Sequence, residues 1–535
     1  MFEKQVESIS LANNKNFLNA LRFSCLDFSS AVGELIDNSL DAGAGEIHID
    51  VNTNRPGNKD AQITEVMVCD DGKGVSASVL QKCLVLGERC CQTERKGIGR
   101  FGLGLLRGGL AVSKRIEIYS RTDEKSSFWY TYLELDGEKQ GEIPCPVENE
   151  PPSKALEYLN KSAGTVVVLS GCDELLHSEK VPEAKQTINL QKYIARTYRK
   201  FIGGGIRMYL HSPTHDGIVR LHDPLYQMGP TEFDERAACD PKALRKFYKN
   251  FSIPLPLSES NETAEISVTI TLLPEEWRRN YSDGFNEFAY SRRISENNGI
   301  SVLRAHREIF YGDISQLYGG RSKNECMPID RWWGCEISFP PELDFCFFVG
   351  YEKNRVHLGS SLRDKMKSEV TPVIRYLRQE IVQGFRVQAE KEALEGKGLT
   401  AVLNQYAKSI SGMEEKLKIK SVILPQNILF EPEHGSSESF MLLNTAHPYF
   451  RQYLLTAYCN MQLGIGAETN AAFLEAFTLF AAGLCRAEET LPEQGKETMA
   501  EFCTMWMTIL GQVSNEYNIP DEAEKLFYAE ERENG

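Results

Sequence analysis

Glu34, Asp37, Asn38 and Asp41 lie in the stretch Glu34-Leu35-Ile36-Asp37-Asn38-Ser39-Leu40-Asp41-Ala42, at positions i, i+3, i+4 and i+7. On a helix that spacing puts all four on one face. Three carboxylates and an amide, with no basic residue among them, make a poor salt-bridge surface. They suit a hard cation and a general base; a solvated charged face is the competing reading. Val32, Leu35, Ile36 and Leu40 form an apolar remainder that can pack on a sheet.

Two further motifs carry chemistry. Val68-Cys69-Asp70-Asp71-Gly72-Lys73-Gly74 ends a strand. An Asp leaving a strand into two glycines is either a plain turn or a carboxylate accepting from a ligand's amino group, with Gly72 and Gly74 permitting close approach. Gly97-Ile98-Gly99-Arg100-Phe101-Gly102-Leu103-Gly104 runs on into Leu105-Leu106-Arg107-Gly108-Gly109, six glycines in thirteen residues. Where a helix starts, such a run can turn successive backbone N–H groups toward phosphate oxygens. It is not a Walker A loop, because no G-K-[ST] follows.

Elements must position these residues. The pattern predicts a helix over 28–42, with Asp27 as N-cap and Gly43 as its stop. Alternation predicts strands over 46–52, 63–70, 115–121 and 165–170, and a helix over 187–202. Together they suggest a helix layer on a sheet. The loop 211–217 marks a boundary, and strands over 265–273, 299–303 and 334–339 suggest a second α/β unit. From about 371 the pattern is helical, and 467–487 is apolar enough for a buried or interface helix. Three units are expected: 1–212, 213–370 and 371–535.

In this order and spacing the three motifs, joined by Ser162-Ala163-Gly164-Thr165 opening a strand, resemble the GHKL superfamily of gyrase, ninety-kilodalton heat-shock chaperones, histidine kinases and MutL. The resemblance implies a multidomain α/β (α+β) chain: a GHKL (Bergerat) ATP-binding α/β sandwich, a second α/β transducer domain with a ribosomal-protein-like fold, and a mainly α-helical C-terminal domain. It implies ATP and Mg²⁺ as cofactors. Glu34 would activate water, Asn38 would hold Mg²⁺, and Asp70 would read the adenine amino group. Gly72 and Gly74 would flank the base, and Thr165 would support the adenine end. Asp41 joins the nucleotide-binding set, with Gly99, Arg100, Phe101, Gly102, Leu103 and Gly104 around the phosphates. The segment 75–101 would be a lid over ATP. Histidine kinases have Asn or another residue where Glu34 stands, so hydrolysis is the expected reaction.

The phosphate motif is most similar to those of the microrchidia (MORC) family and the heat-shock chaperones. MORC proteins typically continue with lysine and serine; here stand Leu106 and Arg107, and Arg107 is either a substitute phosphate contact or a surface charge. Asn298-Gly299-Ile300-Ser301-Val302-Leu303-Arg304-Ala305-His306-Arg307-Glu308-Ile309 and Trp332-Trp333-Gly334-Cys335-Glu336-Ile337, ahead of Tyr351-Glu352-Lys353-Asn354-Arg355, resemble the transducer of bacterial MORC-like ATPases. That domain usually sends a lysine to the γ-phosphate, and Lys353 is the candidate; the alternative is a solvated loop lysine. The stretch Asn444-Thr445-Ala446-His447-Pro448-Tyr449-Phe450 resembles one near the end of bacterial relatives, and His447 is either a site residue or a structural helix-start histidine. The metal-binding patterns of MutL endonucleases are absent.

Composition bounds the rest. The 535 residues hold 60 Lys plus Arg against 75 Asp plus Glu, a net charge of −15. Residues 395–535 hold 20 acidic and 10 basic side chains, which leaves −5 for the first 394. A uniformly basic nucleic-acid binder is excluded, though a local basic groove is not. One candidate is the helix face of Lys192, Arg196, Arg199 and Lys200, extended by Arg292, Arg293, Arg304 and Arg307; an exposed solubilising face is the alternative. Fourteen scattered cysteines, with no C-x-x-C pair, read as reduced and mostly buried. Pro213 between His211 and His215 argues for a loop, not a metal-binding helix face. No apolar run reaches the ~18 residues of a membrane span, and Met1-Phe2-Glu3-Lys4 does not open a signal peptide. A cytoplasmic protein is expected. The leading reading is an ATP-hydrolysing clamp that dimerises with ATP and acts on DNA, in bacterial DNA maintenance or defence, or on a partner protein through its acidic tail. A chaperone-like ATPase with protein clients and a nucleotide-sensing scaffold with little turnover are the alternatives.

Overall fold

The computed structural model describes Leu18, Arg22 and residues 26–55, 61–85, 87, 97–98, 102–136, 142–159, 162–172, 182–229, 243–255, 262–278, 292–297, 299–312, 314, 328–347, 356, 358–408, 417–435 and 438–516. Its first unit contains α1 (Phe28–Asp41), β1 (Glu46–Thr53), β2 (Ile63–Asp70), α2 (Gly104–Val112), β3 (Arg115–Arg121), β4 (Trp129–Glu134) and β5 (Val147–Glu148). There follow α3 (Ser153–Leu159), β6 (Gly164–Ser170), α4 (Glu183–Thr197), α5 (Arg199–Gly203), β7 (Arg207–His211) and β8 (Asp216–Ile218). The eight strands form one sheet in the order β5-β4-β3-β6-β2-β1-β7-β8, antiparallel throughout except for the parallel β1–β7 pair.

Period-two alternation decides which face each strand residue serves. Ile47, Ile49, Val66, Val68, Ile116, Ile118 and Leu169 turn to one side, where they pack on Ala31, Leu35, Leu106, Leu110, Leu190 and Ile194 of α1, α2 and α4. Met67, Cys69, Val166 and Val168 turn to the other and pack on Ala155 and Leu159 of α3. Asp27 caps α1 as expected, accepting from the Ser30 N–H at 2.7 Å, and Gly43 ends it with φ +76°. The helix expected over 187–202 is two helices that meet at Tyr198, and the first starts earlier, at Glu183. The loop 211–217 lies within the first sheet. It is the turn of the β7–β8 hairpin, so the first sheet extends to Ile218, beyond the expected limit at 212.

The second sheet has the order β12-β11-β13-β10-β9, built from β9 (Leu244–Pro254), β10 (Thr263–Leu272), β11 (Ile300–Arg304), β12 (Arg307–Gly312) and β13 (Trp333–Phe339). Helix α6 (Ser360–Leu394) crosses the expected limit at 370 and contains Pro372. A proline inside a helix removes a backbone bond, but packing of Met366, Val370, Ile374 and Leu377 into the second core holds the helix together there. Farther along, Ala389 and Ala393 of the same helix enter a third core. Arg378 of α6 forks onto Asp330 of the second unit at 2.8 and 2.7 Å.

That third unit is mainly helical, with α7 (Leu399–Ala407), α8 (Leu455–Gln462), α9 (Ala467–Thr490) and α10 (Glu493–Glu516). It also holds a three-stranded sheet, Leu417–Val422, Ser439–Asn444 and Phe430–His434 in that spatial order, which the sequence pattern did not show. His447 is structural. It is fully buried, its Nδ1 accepts from the Tyr449 N–H and its Nε2 lies 3.2 Å from the Met507 carbonyl. Among the described residues nine cysteines are free, five of them buried, and no helix is long and apolar enough to cross a membrane.

The first two units meet along the basic face of α4 and α5. Arg199, with no solvent exposure, donates to Glu308 and Glu336 at 2.8 Å each and to Ser301 at 2.7 Å. Arg196 donates to Glu308 at 2.6 Å, Lys200 pairs with Glu336 and Lys192 with Glu296. These side chains do share one face, and the second unit buries Arg199 fully while Lys192, Arg196 and Lys200 stay partly exposed. Arg292, Arg304 and Arg307 are buried as well. Much of the expected basic region is therefore an interface between units: Glu308 of β12 and Glu336 of β13 match Arg196, Arg199 and Lys200, Asp344 matches Arg304 and Asp37 matches Arg307. Removing Arg199 would leave Glu308 and Glu336 buried without their shared cation, a loss that typically costs about 3–5 kcal/mol. R199M should lower the urea midpoint of the first unit and second sheet by a corresponding amount, measured by equilibrium unfolding.

Candidate active site

The site begins with how α1 sits. Glycines let it approach α2 closely: a Cβ on Gly108 would lie 2.6 Å from the Ala31 carbonyl oxygen, and one on Gly104 would lie 2.5 Å from Glu34 Oε2. Glu34 is thus a buried carboxylate, 6% exposed, set against the first turn of α2. That helix has Leu103 at its N-cap position with no side-chain cap, and the Leu103 carbonyl accepts from the Arg107 N–H at 2.9 Å. The N–H groups of an uncapped first turn are donors for an anion, and the helix dipole adds to their pull. A carboxylate and an anion-binding helix end side by side suit an attack by water on a phosphoryl group.

The four polar residues of α1 do share the expected arc, but each has a different task. Asn38 is exposed, whereas Asp37 is 1% exposed. The Asp41 carboxylate accepts from the Ile98 N–H at 2.9 Å, and so holds the entry of the glycine-rich segment. Asp37 accepts from the Tyr198 hydroxyl at 2.9 Å and from Arg307 Nε at 2.7 Å. The absence of a basic partner, true of the local sequence, does not hold in the fold: the partner arrives from 270 positions away. The helix does not gather its carboxylates into a cage, and among the described residues no group of three or more His, Cys, Asp and Glu could hold a metal ion. Arg107 is buried, which removes the surface-charge alternative.

At the far end of the sheet, Asp70 closes β2. Ser39 of α1 donates to its Oδ2 at 2.8 Å and the Gly72 N–H to its Oδ1 at 3.0 Å. Burial pushes the Asp70 carboxyl up to about 6, against the pull of the Ser39 hydroxyl and the Gly72 N–H. Gly72 leaves no room for a side chain, since a Cβ there would lie 2.8 Å from both Asp70 Oδ1 and Ala42 Cβ. Gly74 has φ +66°, and a Cβ on it would overlap the Arg121 carbonyl at 1.9 Å. Thr165 shares a 2.9 Å hydrogen bond with Ser120, which also accepts from the Val75 N–H at 2.8 Å. Ser39 and Ser120 escaped notice in the sequence because a serine beside an acidic motif carries no signal of its own; only the pairing of β2, β6 and β3 makes them neighbours. Gly99, Arg100, Phe101 and Lys353 lie outside the described residues, as do 86 and 88–96 of the lid expected over 75–101. Gly102, with φ +64°, and Leu103 lead directly into α2.

Residues 26–165 match the family model described as "Histidine kinase-, DNA gyrase B-, and HSP90-like ATPase", a span from the cap of α1 to Thr165. The chain is 30% identical over 95 residues to "Protein MICRORCHIDIA 5" of Arabidopsis thaliana. That match covers 17% of this chain and 13% of the relative's length. A solved structure titled "Crystal Structure of N terminal domain of a DNA repair protein" superposes with a TM-score of 0.39 at 15% identity, over 68% of this chain and 98% of that one. A superposition that loose carries no argument. In G74A, the new methyl group and the left-handed backbone would collide with the β3 carbonyl, and the loop after Asp70 would have to shift. Binding of an adenine nucleotide to G74A should weaken at least tenfold, measured by titration calorimetry.

Proposed function

We propose, from an amino-terminal domain at 26–165 that belongs to the histidine kinase-, DNA gyrase B- and HSP90-like ATPase family, that the chain binds and hydrolyses ATP and uses the cycle to move its second unit. The observation that carries this reading is Glu34 pressed against the uncapped first turn of α2. Asp70 accepts from the adenine amino group, with Gly72 and Gly74 along the base and Thr165 behind it. Backbone N–H groups of Gly102–Gly104 take the phosphates. Glu34 accepts a proton from the attacking water, and the N-terminus of α2 stabilises charge on the transferred phosphoryl. Asn38 is the exposed polar side chain of α1, and its amide oxygen suits Mg²⁺, which is usually held by one or two protein ligands together with substrate phosphates. The ion would neutralise phosphate charge. Lys353 remains the proposed γ-phosphate contact.

In the same reading ATP orders the lid, joins two copies through their amino-terminal units and shifts the transducer, so that the helical tail reports the nucleotide state. The client is DNA or a partner protein. With Arg199, Arg292, Arg304 and Arg307 buried, a DNA contact would use the partly exposed Lys192, Arg196, Lys200 and Arg293 or side chains elsewhere. Size in solution with a non-hydrolysable ATP analogue, and salt-dependent DNA binding with and without it, separate the two clients.

E34A should keep ATP affinity within a few-fold and lose turnover by about 10²–10⁴-fold, the usual contribution of a general base; persistent turnover would remove the assignment. D70N should lose nucleotide binding outright. A pH dependence follows as well. In the ligand-free chain the Asp70 carboxyl titrates at about 6, whereas accepting from an amino group requires the ionised form. Affinity should therefore be constant above pH 6 and fall as pH drops through 6, by up to tenfold per unit, with proton release on binding. Calorimetry at pH 5.5 in buffers of different ionisation enthalpy measures that proton.

A further inference from the structure

The β11–β12 hairpin carries charge that its own sheet does not need. Arg304 and Arg307 face each other as a cross-strand pair, and like charges directly opposite disfavour a hairpin. The turn between them places two non-glycine residues, Ala305 and His306, at φ +49° and +69°, a conformation such residues seldom adopt. Each arginine is matched by a carboxylate. Arg304 forks onto Asp344 of its own unit at 2.5 and 3.0 Å, and its Nη1 donates to the carbonyls of Gly97 and Ile98 at 3.3 and 3.1 Å. Arg307 donates to Asp37 at 2.7 Å, to the Tyr193 hydroxyl at 3.0 Å and to the Glu308 carbonyl at 3.2 Å.

Fastening the two units together does not require Arg307. Arg196, Arg199 and Lys200 already do that through Glu308 and Glu336. Arg307 reaches past them to α1, the helix that carries Glu34. Asp37, which it holds, lies one helical turn from Glu34, and Glu34 is itself among the charges that act on the guanidinium. Burial alone would make that cation less stable; Asp37, the two tyrosines and Glu34 outweigh it.

We propose that Arg307 is a positioning residue for ATP hydrolysis: through Asp37 it fixes the rotation of α1, so that Glu34 stays seated against the first turn of α2, and turnover becomes conditional on docking of the second unit. A general base displaced by about 1 Å forfeits much of its rate; Asp70 itself and the phosphate donors of α2 lie on other elements, and α1 touches the adenine end only through the Ser39 hydroxyl, so nucleotide affinity falls less than turnover. This inference rests on the reading of Glu34 as the base.

The test uses the full chain. Steady-state kcat and KM for ATP, and Kd for a non-hydrolysable analogue, are measured for R307Q, R307K, D37N, R307Q/D37N and E34A. R307Q should lose at least tenfold in kcat with KM and analogue Kd within threefold of the parent. R307K, which keeps the cation, should recover at least threefold of that loss. D37N should be slowed to a similar extent, and the double variant should be no more than twofold slower than the slower single. Parent-like kcat in R307Q while E34A is inactive would overturn the proposal. So would equal losses in kcat and analogue affinity, which a merely structural role produces, or multiplicative losses in the double variant. Turnover by E34A would instead overturn the base assignment itself, and the proposal with it.

Discussion

Arg199 and Arg307 have almost no contact with water, and both lie where the helix layer of the first sheet meets β11, β12 and β13. A guanidinium in that position is tolerable only if carboxylates and hydrogen-bond acceptors surround it. Glu308 and Glu336 meet the first arginine, Asp37 the second. The two units consequently cannot separate without exposing or orphaning several charges at once. Apolar contact alone would let them slide; directional, charge-assisted bonds give the junction one register.

The same junction shapes the chemistry. Helix α1 is held on three sides: by the sheet beneath, by glycines of α2 that bring Glu34 to the helix end, and by Tyr198 and Arg307 on Asp37. Little freedom is left for the carboxylate. At the end of β2 Asp70 is buried as well, and burial pushes its carboxyl up to about 6.

Much of this was legible in the sequence. The limits of α1 and its Asp27 cap, the strand that ends at Asp70, and the glycines before α2 all follow from local patterns that need no knowledge of the rest of the chain. Asp37 shows where such patterns stop. Its type and spacing matched Glu34 and Asn38, but its partner depends on how a hairpin 270 positions later docks. The basic residues of α4 and α5 were legible as one face, but not that Glu308 and Glu336 lie opposite Arg199, since a row of arginines looks alike whether water or glutamate faces it. Ser39, Ser120 and the strand β8 were missed for a related reason: short elements and single hydroxyls acquire meaning only through strand pairing. The small sheet of the third unit was hidden by its setting within a helical pattern.

Arg304 and Arg307 share one pairing register, and successive strand residues point to opposite faces. A single inserted or deleted residue in either strand would turn one arginine away from the first unit and break the pair. Two such changes, one on each side of the turn, would restore the alternation but move both guanidinium groups by a full residue. The hairpin therefore tolerates substitution far better than it tolerates changes of length. Related chains that keep the glycine-rich segment and α1 can be expected to vary in the residues of this turn, but not in the number of them.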